Sequence, residues 1–198
     1  MLEITVQSSL RTWPLSAPAI RRAARALSEC CLPGVTTGGI SICLVSARRM
    51  AQINEQFLGH SGPTDVITFD YGTERDRSPN SRLIQGNKQS AATSSSNKGI
   101  EAEILICPEV ASSQSRSFGV GWRHEVLRYL AHGFLHLAGH DDLDPARRKV
   151  MKRAENGLVH QMAAKLGGPW TAEAPIPVIG VPNRGRNAAS KRAALHRS

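Results

Sequence analysis

Apolar residues recur along this chain at two spacings, and the switches between them mark out strands and helices. Met1 to Val6 alternate apolar and polar positions, the period of a half-buried strand. PAIRRAARALSECCL (18–32) then repeats apolar residues at helical intervals through Ile20, Ala24, Leu27 and Cys31, and Pro33-Gly34 ends it. The β-branched run GISICLVSA (39–47) predicts a second strand. SARRMAQINEQFLG (46–59) predicts a helix with Ser46 as N-cap, Met50, Ile53 and Phe57 on one face, and Gly59 as terminator. DVITFDYG (65–72) and EAEILICP (101–108) read as strands. Pro108 opens a short helix, RHEVLRYLAHGFLHLAG (123–139) is the most strongly helical stretch, and Asp144-Pro145 starts a last helix running to about Leu166.

Two segments carry neither period. Residues 73–100 include GNKQSAATSSSNKG, which has too little apolar surface to offset its ordering entropy, and predict a long mobile insertion. Residues 167–198 are rich in Pro, Gly and Arg and predict a disordered basic tail. The expectation is therefore one α+β domain over residues 1–166, a small mixed sheet of about four strands packed with helices. Strand order does not follow from the pattern.

Charge changes this picture less than its total suggests. The formal net charge is +9, but Val181 to Ser198 contributes +5 and Thr73 to Ile100 contributes +3, leaving +1 for the rest. The basic excess thus favours contact with a polyanion through an arm over a basic groove on the fold, with a solvated tail as the plain alternative. The four cysteines, Cys30, Cys31, Cys43 and Cys107, have no CxxC spacing and read as reduced thiols without chemistry. No run approaches the roughly eighteen apolar residues of a membrane span, and the N-terminus lacks the layout of a secretory signal, so a cytoplasmic protein is expected.

The chemistry concentrates in HGFLHLAGHDD, residues 132–142. At 100° per residue, Val126, Leu127, Leu130, Phe134, Leu137 and Ala138 share a sector of roughly 120°, and His132 and His136 project together from the other side, about 40° apart. Two imidazoles at i and i+4 can converge on one metal ion, about 2 Å from each nitrogen. Gly139 permits the left-handed turn that brings the chain back, so Asp142 can supply a third ligand. His140 is the rival third ligand, although it follows the helix-ending glycine with little length in which to turn. The array H-x-x-x-H-x-x-G-x-x-D is metzincin-like, yet position 133 is glycine where an HExxH peptidase has its glutamate base, which argues against peptide hydrolysis.

With its flanks, this stretch resembles the HGxLHLxGYDH signature of the YbeY family of bacterial rRNA maturation factors. MAQINEQFLGHSGPTDVITFDYG and AEILICPEVA resemble two further family segments, in the same order, and the likeness spans roughly residues 38–160 apart from the insertion. The resemblance implies a single-domain α+β fold and a zinc-dependent, single-strand endoribonuclease acting in 16S rRNA 3′-end maturation and ribosome quality control. It implies one Zn2+ per chain, rRNA and ribosomal subunits or proteins as partners, and neither a membrane nor a small-molecule cofactor. Asp142 stands where the family has a third histidine, and a carboxylate can ligate zinc. Leu58 stands where the family commonly has an arginine thought to contact phosphate, for which His60 or Arg48 are candidate replacements.

The catalytic candidates are His132, His136 and Asp141, with Asp141 as orienting partner or proton donor beside the ligand. Asn54 and Thr64-Asp65 match family positions, but Thr-Asp after proline is also ordinary turn chemistry. Glu103 reads as facing solvent. Glu125, about 10 Å before His132 along the helix, is too far to touch the ion. His124, His160 and His196 read as surface residues. A second function, a ribosome-assembly factor with a purely structural metal, is kept because of Leu58; a metallopeptidase is disfavoured by Gly133.

Overall fold

A computed structural model of the chain describes residues 1–10, 15–72 and 98–170. The expected insertion up to residue 97 and the tail beyond 170 lie outside these residues. Strand β1 (Leu2–Ser8) is followed by α1 (Ala17–Cys31), β2 (Val35–Leu44), α2 (Ala47–Leu58), β3 (Val66–Gly72) and β4 (Lys98–Ile106). Helices α3 (Pro108–Phe118), α4 (Trp122–Leu137) and α5 (Pro145–Leu166) follow, with a closing 3-10 turn over Gly168–Trp170. The helix starts are local: Ser16, Ser46 and Asp144 each accept backbone N–H groups of the turn they open, satisfying donors that have no partner within the helix.

The four strands form one mixed sheet in the order β1-β2-β4-β3. β1 with β2 and β2 with β4 are parallel, and β3 with β4 is antiparallel. β4 alternates at first, with Glu101 and Glu103 opposite Ile100 and Ala102, and becomes continuously apolar over Ile104–Ile106, where both faces are covered. Ile100, Ala102, Ile104 and Ile106 enter the main core under α1, α4 and α5, and Leu105 enters a smaller cluster on the opposite face with Met50 and Ile53 of α2. Among the described residues no helix is long and apolar enough to cross a membrane.

Two boundaries and the burial of one side chain differ from the sequence expectation. Residues 98–100, placed in the insertion, are the first turn of the ladder of β4 against β2. The tail assigned to residues 167–198 begins with an ordered turn whose Trp170 is 1% exposed and packs in the main core. Phe57 shares the helical face of Met50 and Ile53, yet is 44% exposed and stands edge-on to Phe69. It lies at the last turn of α2, where it covers Phe69 of β3 on one side and leaves its other side to solvent.

Helix α4 approaches the sheet most closely at Gly133. A Cβ placed there would lie 2.9 Å from Ile104 Cγ2 and 3.1 Å from Thr68 Oγ1, closer than van der Waals contact allows. Position 133 therefore faces β3 and β4, and His132 and His136 face away from the sheet. Gly133→Val is expected to destabilise the protein by about 1–3 kcal/mol through overpacking. The measurement is a lower urea midpoint with an unchanged denaturant slope.

Candidate metal centre

The two histidines meet because they are one helical turn apart on α4. Their Nε2 atoms are 3.1 Å apart and their ring planes nearly perpendicular, at 83°. Each ring is held from its other nitrogen. His136 Nδ1–H donates to the backbone carbonyl of His140 at 3.1 Å, and His132 Nδ1–H donates to Glu155 Oε2 at 3.0 Å. A carbonyl and a carboxylate can only accept, so each Nδ1 carries a proton and Nε2 is the nitrogen each ring can offer to a metal ion. Burial, and then the neighbouring His132, lower the pKa of His136 and keep that ring neutral.

Two Nε2 atoms facing each other at this distance can share either a proton or a metal ion. Nitrogens that share one tetrahedral ion at about 2.0–2.1 Å lie about 3.3–3.4 Å apart, close to the separation found here. Asp142 closes the group: its Oδ2 is 4.0 Å from His132 Nε2, and one ligand atom from each of the three residues falls within 4.8 Å of the others. The donor set, two neutral imidazoles and a carboxylate, suits a borderline-soft divalent ion such as zinc.

The turn that delivers Asp142 is specified by sequence. Gly139 has φ +89°, its N–H bonds to His136 O at 2.9 Å, and the N–H of His140 bonds to Leu135 O at 3.0 Å. This pair of bonds is the Schellman ending of a helix, and it needs a residue at ease in the left-handed region. The same turn aims the His140 carbonyl at His136. The imidazole of His140 is not among the three converging side chains. Arg148 Nε–H donates to the Asp142 carbonyl at 3.2 Å and fastens the loop to α5.

Asp141 is turned away, toward Arg147. The Arg147 hydrogen bond, with a smaller contribution from the Leu143 amide, holds its carboxyl below the usual carboxylate range. Asp141 and Arg147 thus brace the loop that carries Asp142.

The residue that the sequence reading missed is Glu155. It is 4% exposed, on α5, and its Oε1 accepts from Arg128 Nη1 and Lys152 Nζ, both at 2.7 Å. Burial works to raise its pKa, but the bonds from His132, Lys152 and Arg128 outweigh that and hold it at about 2. The signal was present in the pattern: Met151, Glu155, Val159 and Met162 form the buried stripe of α5, so one apolar position carries an acid.

Compared with known proteins, residues 16–163 match the family model described as "Endoribonuclease YbeY". The chain belongs to this family. A relative named Endoribonuclease YbeY from Kineococcus radiotolerans is 30% identical over 141 residues, covering 71% of this chain and 72% of that protein. Another of the same name from Micrococcus luteus is 32% identical over 139 residues, covering 70% and 75%. The solution structure of TM1509 from Thermotoga maritima superimposes with a TM-score of 0.54 at 22% identity, over 87% of this chain and 97% of that one, and supports the fold.

Against the YbeY pattern, the remaining candidates separate. Asn54 is buried, and its amide donates to Gly62 O at 2.8 Å, bracing the loop after α2. Thr64 donates to Asp65 Oδ1 at 2.9 Å, an ordinary turn, while Asp65 also lines the cleft beside His132. Leu58 packs in the smaller core cluster, and neither His60 nor Arg48 lines the cleft. Glu125 is buried against Arg128 and lines the cleft without contacting a ligand. Glu103, expected to face solvent, is half-buried and accepts from Cys43 Sγ and Tyr71 OH on the α2 side of the sheet. His124, expected at the surface, is half-buried, whereas His160 is exposed and His196 lies outside the described residues. Cys30, Cys31, Cys43 and Cys107 are unpaired, and burial raises the thiols of Cys31, Cys43 and Cys107, the last to about 11, away from the thiolate form.

Because Glu155 fixes the tautomer and direction of His132, Glu155→Gln is expected to weaken Zn2+ affinity by about 10- to 100-fold, measured by competition with a chromogenic chelator. Gly139→Ala is expected to cost about 1–2 kcal/mol of stability from its left-handed backbone alone, seen as a lower thermal midpoint.

Proposed function

We propose that this chain is a zinc-dependent endoribonuclease that cuts single-stranded RNA in the cytoplasm, acting in 16S rRNA 3′-end maturation and ribosome quality control. Its partners in this reading are rRNA and ribosomal subunits. The single observation that carries the chemistry is the convergence of His132 Nε2, His136 Nε2 and an Asp142 carboxylate oxygen within 4.8 Å of one another. The family match supports the substrate class, since the relatives are named endoribonucleases.

A Zn2+ ion held by His132, His136 and Asp142 would supply Lewis acidity, for a phosphoryl oxygen or for a water whose pKa it lowers. Everything else is the work of the chain. Glu155 and the His140 carbonyl hold both imidazoles in the tautomer that leaves Nε2 free. Arg128 and Lys152 keep Glu155 ionised without taking its second oxygen from His132. The cleft beside His132, about 570 Å3, is of a size to receive a nucleotide. A peptidase reading is weak for a geometric reason: a side chain at position 133 would be directed at Ile104 and Thr68, so no glutamate there could reach the ion.

Metal analysis beside a cleavage assay on single-stranded rRNA fragments tests the proposal. The wild-type protein is expected to hold zinc and cut, and His132→Ala to lose both; a variant that keeps both would sink the reading. Asp142→Ala is expected to lose zinc and His140→Ala to keep it. The burial of Leu58 in packing favours the second reading, a ribosome-assembly factor with a structural metal. Unfolding by chelator, with no cleavage by the zinc-loaded protein, would select it.

A further inference from the structure

The buried stripe of α5 faces α4, and the outer surface of its first turns is cationic. Between Pro145 and Ala154 the sequence has five Lys or Arg and no acid. Arg147 is neutralised by Asp141 and Asp144. The other four, Arg148, Lys149, Lys152 and Arg153, are exposed and fall within about 140° of the helix circumference; Lys152 also reaches Glu155, and Arg148 the Asp142 carbonyl. With Asn156 they line a shallow groove along α5. The side chains of Lys149 and Arg153 find no partner among the described residues.

Three observations separate this ridge from an ordinary solvated helix face. Its cations occupy the N-terminal turns, where the helix dipole disfavours positive charge, and the acids at that end, Asp141 and the N-cap Asp144, are engaged by Arg147. The ridge is continuous with the metal cleft, since Arg148, Lys152 and Asn156 line both. The cleft also holds the Tyr129 hydroxyl, on a side chain 2% exposed, which has no hydrogen-bond partner among the described residues. Deeper in the cleft Arg128 is matched against Asp65, Glu125, Asp142 and Glu155, so the attraction for a polyanion has to come from its lip, where Arg148 and Lys152 stand.

We propose that Arg148, Lys149, Lys152 and Arg153 bind the phosphate backbone of single-stranded RNA and lead the strand into the metal cleft. This rests on the ribonuclease reading above and names where that substrate is held. Arginine forks and lysine point charges match phosphate oxygens. The ridge has no aromatic side chain on which a base could stack, so its contacts position the strand without reading sequence.

The test uses the full chain and a 5′-labelled 12-nucleotide single-stranded RNA, with binding followed by fluorescence polarisation over a range of KCl. The double variant Lys149→Ala/Arg153→Ala removes two exposed cations that touch nothing else. The slope of log affinity against log salt is expected to become shallower by about 1.4, from about 0.7 per lost phosphate contact on a single strand. In the cleavage assay the loss of kcat/KM is expected to be carried mainly by KM. Arg21→Ala/Arg25→Ala on α1, also exposed, is the control and should leave the slope unchanged. A ridge variant indistinguishable from wild type, or a wild-type protein that does not bind the RNA, overturns the proposal. So does equal competition by a polyglutamate peptide of the same charge, which would make the ridge a site for acidic proteins. A shallower slope without any cleavage by wild type would leave the ridge standing and remove the ribonuclease reading; cleavage with an unchanged slope would do the reverse.

Discussion

Everything in the site is referenced to the contact between α4 and the sheet at Gly133. With no Cβ at that position, the helix backbone can settle against Ile104 and Thr68, and the apolar sector of α4 fills the core beneath α1 and α5. The rotation of α4 about its own axis is then fixed, and with it the direction of His132 and His136. A bulkier residue would lift or turn the helix and misdirect two rings whose nitrogens must meet to within a few tenths of an ångström. The same contact explains why a helix bearing a metal-ligand motif has no glutamate next to its first histidine.

A second layer of constraint is electrostatic. Glu155 is a buried carboxylate, and leaving one unpaired would be costly, but Arg128, Lys152 and His132 together satisfy it. Arg128 is itself shared with Glu125 and Asn156, so the charges form a network spanning α4 and α5. The network lies directly behind one ligand and leaves the other, His136, to be oriented by a backbone carbonyl. The two rings are thus fixed by different means, one by charge on a neighbouring helix and one by the helix-ending turn of their own.

Much of this was legible in the sequence. The strands, the helices, Ser46 and Gly59 as helix ends, and the i, i+4 histidines with Gly139 all follow from local rules, because each depends on residues within one or two turns. Glu155 was not legible in that way, since its meaning comes from α5 lying against α4; an acid in an apolar stripe signals a buried partner without naming it. Trp170 was overlooked because proline and glycine around it suggested a tail, and only long-range packing shows that it closes the core. The summed charge misled for a related reason. A net value near zero outside residues 73–100 and 181–198 conceals acids gathered in the cleft and cations gathered on α5, and addition cannot reveal position.

The bond between Glu155 and His132 ties together two things that are usually separate. An ion bound through His132 acts on a ring already fastened to α5, so occupancy and the docking of α5 on α4 are thermodynamically linked. A ligand that binds only the folded state adds stability as RT ln(1 + [L]/Kd), about 2.7 kcal/mol at a hundredfold excess over Kd. Whatever occupies or vacates the face of His132 is thus felt at α5, the element that closes the main core through Met162 and Val159.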